Sequence, residues 1–120
     1  MKVLIVDDSK AMRMIVTRTL KKTGLGDLTI VEATNGSEAL EVIDSEKPEL
    51  VLSDWNMPEM NGIELLEKVR ESGNEVTFGF ITSESSAETK ALAIATGASF
   101  VITKPFTADS MEMTLSAAIS

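Results

Sequence analysis

Apolar residues gather in five short runs along this chain: 3-VLIV-6, 28-LTIV-31, 50-LVLS-53, 76-VTFGFI-81 and 99-SFVI-102. Each run has strand length. Between them lie stretches whose apolar residues return every three or four positions, at 9–23, 36–46, 62–72, 86–96 and 107–119. The pattern therefore alternates strand with helix. The first and third runs are continuously apolar, as strands covered on both faces should be. Gly79 inside the fourth run marks a close backbone approach. Met12, Ile15, Val16, Thr19 and Leu20 make one stripe of the first helix. Leu65, Leu66 and Val69 do so in the third, and Ala108, Met111, Leu115, Ala118 and Ile119 in the last. These stripes are expected to be core. The fourth helix is poorer: Leu92 and Ile94 stand roughly 200° apart on the wheel. They cannot share one buried stripe, so one is expected at the surface, and the helix is thinly anchored. Asn35-Gly36, Asn61-Gly62 and Thr107 supply turn and cap chemistry before three helices. Five such units predict an α/β fold with a five-stranded, doubly wound parallel sheet in the flavodoxin-like order 2-1-3-4-5 and five helices.

The 120 residues make one domain, 1–120, with no linker, repeat or low-complexity run. No apolar stretch suits a bilayer and no signal peptide opens the chain, so no membrane role and a cytoplasmic location are expected. A net charge of −8 argues against nucleic-acid binding; most of the carboxylates read as a solubilising surface. There is no cysteine and no histidine. Disulfides, thiolate metal sites, and the commonest general base and zinc ligand are thereby excluded.

The chemistry-bearing residues lie where the strands end. Asp7-Asp8 follows the first run and Asp54 the third; Thr82-Ser83 follows the fourth and Lys104-Pro105 the fifth. In an open parallel sheet, ligands bind beyond the carboxyl ends of the strands, at the switch between the first and third. Three carboxylates, a hydroxyl and an ammonium would then share one crevice. Close carboxylates cannot all stay ionised unaided. A hard cation such as Mg²⁺, which takes a few carboxylates, waters and phosphate oxygens, resolves the conflict. One carboxylate is left to act as nucleophile, as in aspartyl-phosphate enzymes. Lys104 can pair with a phosphoryl oxygen and Thr82 can donate a hydrogen bond to another. The Lys104–Pro105 bond is predicted to be cis, in a turn that aims the lysine back into the crevice.

Over essentially its whole length the chain resembles the receiver domains of two-component response regulators. The resemblance rests on 3-VLIVDDS-9, 51-VLSDWNMPEMNG-62, 81-ITSES-85 and 97-GASFVITKPF-106. Asp54 with the following Trp55-Asn56-Met57-Pro58 is similar to the single-domain chemotaxis regulators. The resemblance implies that Asp54 is the phosphoacceptor. It implies Mg²⁺ held by the Asp8 and Asp54 carboxylates and the Asn56 backbone carbonyl, with Asp7 acting through water. Thr82 would bond and follow the phosphoryl group, and Lys104 would pair with it. Asn56 and Glu84 match the positions that tune self-dephosphorylation. One departure stands out. The family's switch aromatic is usually three residues before the lysine, where this chain has Val101; its aromatic is Phe100, which one strand step turns to the other face. Phe100 therefore reads as core, and coupling through Thr82 and Val101 should depend little on a side-chain rotation.

The expected function is that of a phosphorylation-operated signalling module rather than an enzyme. A histidine kinase or histidine phosphotransfer protein would supply the phosphoryl group, a phosphatase can assist its removal, and output would come from protein binding by a monomer. Lys10, Arg13 and Lys21, with Met14 among them, lie opposite the apolar stripe of the first helix and offer the donor a docking face. A chemotaxis regulator acting on a flagellar motor switch is the first reading. A phosphorelay intermediate is the second, and a receiver cut from a longer protein the third. From another class, a small Mg²⁺-dependent phosphatase with an Asp nucleophile would usually carry a second aspartate where this chain has Asn56.

Overall fold

The computed structural model describes residues 1–84 and 86–119; Ser85, within the 81–85 motif, and Ser120 lie outside the described residues. Five strands and five helices alternate along the chain. They are β1 (Lys2–Val6), α1 (Lys10–Lys21), β2 (Thr29–Ala33), α2 (Gly36–Glu46), β3 (Leu50–Asp54), α3 (Gly62–Glu71), β4 (Thr77–Thr82), α4 (Ala87–Thr96), β5 (Phe100–Thr103) and α5 (Ala108–Ile119). The sheet is parallel, in the predicted order β2-β1-β3-β4-β5. Residue alternation along each strand divides the core in two. Val3 and Ile5, Leu50 and Leu52, Ile81, Phe100 and Ile102 face Val16 and Leu20 of α1 and Met111 and Leu115 of α5. Leu4 and Val6, Val51, Phe78 and Phe80 face Ala39 and Ile43 of α2, Leu65, Leu66 and Val69 of α3 and Ala93 of α4. Burial on both faces explains the unbroken apolar runs of β1 and β3.

The predicted caps form. Asn35 and Asn61 accept from the backbone N–H groups of Glu38 and Glu64, and Glu64 reaches back to the Asn61 N–H to close a capping box. The Thr107 hydroxyl accepts from the Ser110 N–H, while the Ser110 hydroxyl accepts from the Thr107 N–H. The Lys104–Pro105 peptide is cis. Gly79 sits in register with Phe100 on β5, and the Phe100 ring lies across it where a Cβ would stand.

Four expectations need correction. Ile15 is 47% exposed and Ile119 37%, so neither belongs to the core. In α1 the contact with the sheet and α5 runs through Val16 and Leu20; in α5 it runs through Met111 and Leu115. Ile15 opens instead onto a groove beside the loop after β5. Leu92 and Ile94 are both exposed, because Ala93 between them is the residue that α4 buries. Arg13 does not lie on an open basic face: its side chain is only 12% exposed and is bonded to β2 and to the end of β1. α4 is held mainly at its C-terminal end. There Gly97 caps the helix at positive φ, and Arg70 of α3 donates to the Gly97 carbonyl (2.7 Å) and the Asn74 carbonyl (2.9 Å).

The Gly79–Phe100 contact makes a double-mutant prediction. Gly79→Ala should destabilise the domain by about 3 kcal/mol through overpacking. In a Phe100→Leu background the same change should cost at least about 1 kcal/mol less. Urea denaturation of the four proteins measures both; equal costs in the two backgrounds would deny the contact.

Candidate functional site

The register of the sheet assembles the site. Val6 of β1 is opposite Ser53 of β3, so Asp7 emerges beside Asp54, the last residue of its strand. Asp54 is opposite Ile81, and Thr82 is opposite Thr103, which brings Thr82 and Lys104 to the same edge. Asp7, Asp8 and Asp54 each place a carboxylate oxygen within 4.8 Å of the others. The Lys104 ammonium is 3.8 Å from the Asp54 carboxylate, and its backbone N–H donates to the Thr82 carbonyl at 2.8 Å.

Each side chain is held locally. Asp7 is buried, and its carboxylate accepts the Ser9 N–H (2.8 Å), while Ser9 caps α1 by accepting the Met12 N–H. The Asp54 carboxylate accepts the Trp55 N–H at 2.8 Å, and the Asn56 N–H also faces it. The Trp55 ring meets Phe80 edge-on at 4.8 Å. Gly62 closes the loop by donating to the Trp55 carbonyl; a Cβ there would stand 2.5 Å from the Asp54 carbonyl. The Thr82 side chain is buried, and its hydroxyl oxygen accepts the Glu84 N–H at 3.1 Å. Asp8, Asn56 and Glu84 are exposed at the rim. Val101 is half-buried on the α2–α4 face, and Phe100 lies on the α1–α5 face, so the two do point to opposite sides of the sheet.

Burial pushes the Asp54 carboxyl above the usual carboxylate range. Lys104 and the Trp55 N–H oppose that rise, and the Asp8 charge adds to it. Burial likewise pushes Asp7 up; the Ser9 N–H opposes this, and Asp54 adds to it. The pocket thus holds more negative charge than its own cation and donors balance. An all-oxygen, carboxylate-rich set of this kind fits a hard divalent cation such as Mg²⁺. Ser9, Arg13 and Gly62 were not singled out from the sequence as pocket residues. The Asp-x-Ser spacing of an Asx turn before a helix could have flagged Ser9. The part played by Arg13 is tertiary and leaves no local signal.

Residues 3–116 match the family model described as the response regulator receiver domain. Over 110 residues the chain is 43% identical to chemotaxis protein CheY1 of Helicobacter pylori, covering 89% of this chain and 87% of that protein. It is 39% identical to the chemotaxis protein CheY homolog of Campylobacter jejuni over the same share of this chain and 83% of the relative. Among solved structures, Vibrio cholerae chemotaxis protein CheY4 matches with a TM-score of 0.86 and 34% identity, covering 98% of this chain and 97% of that one. The receiver domain of Francisella response regulator 1452 matches with a TM-score of 0.87 and 26% identity, covering 98% and 95%.

The raised carboxyls fix the sign of a pH effect. Between the ordinary carboxylate range and the raised values, the folded protein binds more protons than the unfolded chain, so stability falls as pH rises through that window. Without divalent cation, Asp54→Asn should raise the melting temperature at neutral pH by roughly 3–5 °C, the shift that about 1 kcal/mol makes in a domain of this size. Mg²⁺ should raise that of the unmodified chain and have less effect on the variant. Differential scanning calorimetry would speak against the crowded-pocket reading if Asp54→Asn melted lower than the parent under metal-free conditions.

Proposed function

The chain belongs to the response regulator receiver domain family, and on that premise we propose that it accepts a phosphoryl group on Asp54 and signals through phosphorylation-dependent protein binding. The observation that carries this reading is the placement of Asp54, with two more carboxylates within 4.8 Å and an ammonium at 3.8 Å. An Asp54 carboxylate oxygen attacks phosphorus, forming an O–P bond as the bond from phosphorus to the donor breaks. With a phosphohistidine donor the departing imidazole nitrogen keeps the electron pair. The Lys104 ammonium pairs with one phosphoryl oxygen and the Thr82 hydroxyl donates to another. Mg²⁺, when held by Asp8, Asp54 and the Asn56 backbone carbonyl with Asp7 acting through water, would neutralise charge on the carboxylates and the phosphoryl group. Asn56 and Glu84, exposed at the rim, would affect the approach of the water that later hydrolyses the acyl phosphate.

The donor is a histidine kinase or phosphotransfer protein. A groove of about 400 Å³ lined by Met12, Ile15, Thr19, Lys104, Pro105 and Phe106 adjoins the crevice and suits it better than the basic face, where Arg13 is already engaged. The names of the chemotaxis relatives favour a chemotaxis role with a flagellar motor switch as the output; a phosphorelay intermediate is the second reading. No helix among the described residues is long and apolar enough to cross a membrane.

Incubation with a small acyl phosphate and Mg²⁺ should add one phosphoryl group per chain, located at Asp54 by mass spectrometry after borohydride reduction. Asp54→Asn should abolish it. Label on a Ser or Thr would refute the assignment, and sustained turnover of phosphomonoesters would favour a phosphatase.

Coupling from the site outward is expected to run through Thr82 and the thinly packed α4. When Thr82 turns its hydroxyl to a phosphoryl oxygen, the bond from the Glu84 N–H must be remade, which moves the start of the loop before α4. Val101 carries no ring and has nearly one χ1 choice, so little buried area changes there. Thr82→Ala should therefore suppress most of the chemical-shift change that beryllium fluoride, a phosphate mimic, causes over 82–96. Val101→Ala should leave most of it. Equal suppression by both variants would contradict a switch driven by the loop.

A further inference from the structure

Arg13 occupies a position that helix energetics disfavour. It lies near the N-terminus of α1, where the macrodipole opposes a cation, and the first turn of that helix carries no acidic residue. Yet its side chain is 12% exposed and makes two charge-assisted bonds. One guanidinium nitrogen, Nε, donates to Glu32 Oε1 of the edge strand β2 at 3.0 Å. Another, Nη1, donates to the Asp7 backbone carbonyl at 2.7 Å. That carbonyl belongs to the peptide joining Asp7 to Asp8. The other polar groups of Asp7 are also engaged: its N–H donates to the Ala33 carbonyl at 3.1 Å, and its carboxylate accepts the Ser9 N–H. The peptide that sets the directions of both carboxylates is thus clamped from β2 on one side and α1 on the other.

We propose that Arg13 is a positioning residue for the acidic pocket: braced by Glu32, its guanidinium fixes the Asp7–Asp8 peptide and so aims the two carboxylates toward Asp54. The inference rests on the reading of Asp7, Asp8 and Asp54 as a Mg²⁺ pocket. A planar guanidinium reaches both acceptors at once; a lysine ammonium on a flexible stem does not reproduce that fork. Outer residues that orient metal ligands typically govern affinity by tenfold or more. The sign is diagnostic. If Arg13 acted through its charge alone, removing it would tighten the binding of a nearby cation. If it acts by positioning, removing it weakens that binding.

The experiment is Mg²⁺ titration of the full chain, followed by calorimetry and Trp55 fluorescence, with urea denaturation run in parallel on each variant. Arg13→Ala and Arg13→Lys should each lower Mg²⁺ affinity about tenfold in protein that denaturation proves to be folded. Glu32→Ala should lose more affinity than Glu32→Gln, which removes the same charge but keeps an acceptor oxygen for Nε; Arg13→Lys, which keeps the cationic charge, decides the matter if Arg13→Ala does not fold. Unchanged or tighter binding in Arg13→Ala, or unchanged binding in Arg13→Lys where that variant decides, would overturn the proposal while leaving the pocket intact. No calorimetric Mg²⁺ binding by the parent chain would instead refute the pocket reading and the proposal with it; Asp8→Asn, expected to lose most of the affinity, separates the two cases.

Discussion

The site depends on the gathering of Asp7, Asp8 and Asp54 in a partly desolvated pocket, where burial first and neighbouring charge second raise Asp7 and Asp54. The carboxylate oxygens of the three lie within 4.8 Å of one another, Asp7 is buried, and Lys104 is the ammonium at hand. The sheet order creates the crowding: β1 lies between β2 and β3, so the acidic end of the first strand comes out beside the acidic end of the third. Such a pocket is costly when empty of cations and favourable when a divalent cation and a phosphoryl group enter. On the proposed function, the same arrangement that burdens the fold would make Asp54 reactive once Mg²⁺ is held there.

The rest of the domain can bear that burden because the sheet is packed on both faces. Leu4, Leu50, Phe78, Phe80, Leu65 and Leu115 are fully buried. Of the five helices α4 buries the least, Ala93 alone, and it is secured at its far end by Arg70 on the Gly97 carbonyl. Desolvation lowers the affinity of Arg70 for its proton, but a guanidinium stays charged regardless. Such light packing of α4 is what the proposed coupling from Thr82 would require.

Much of this was legible in the sequence. Strand and helix periods gave the topology, because buried parallel strands and capped amphipathic helices each write a local pattern. The strand ends gave Asp7, Asp8, Asp54, Thr82 and Lys104, because the parallel fold gathers such ends at one edge. The misreadings have physical causes. Ile15 fits the apolar stripe of α1, but a helix lying on a sheet buries a narrower arc than the wheel allows, and Val16 and Leu20 fill it. Leu92 and Ile94 drew notice as large residues, while the small Ala93 makes the core contact. Arg13 looked like part of a solvated basic face. Its partners are Glu32, nineteen residues away, and a backbone carbonyl, and neither can be seen on a helical wheel.

Asp7 and Asp54 are desolvated beside other carboxylates, a state that a divalent cation in the pocket would relieve. The most direct measurement is a pH titration of the side-chain carboxyl carbons of Asp7 and Asp54 by NMR, with and without Mg²⁺. In metal-free protein both should titrate above the usual carboxylate range, as burial and mutual repulsion require, and both should move to lower pH when Mg²⁺ is added. Titration of both groups at ordinary carboxylate values, or midpoints that Mg²⁺ does not move, would contradict the account.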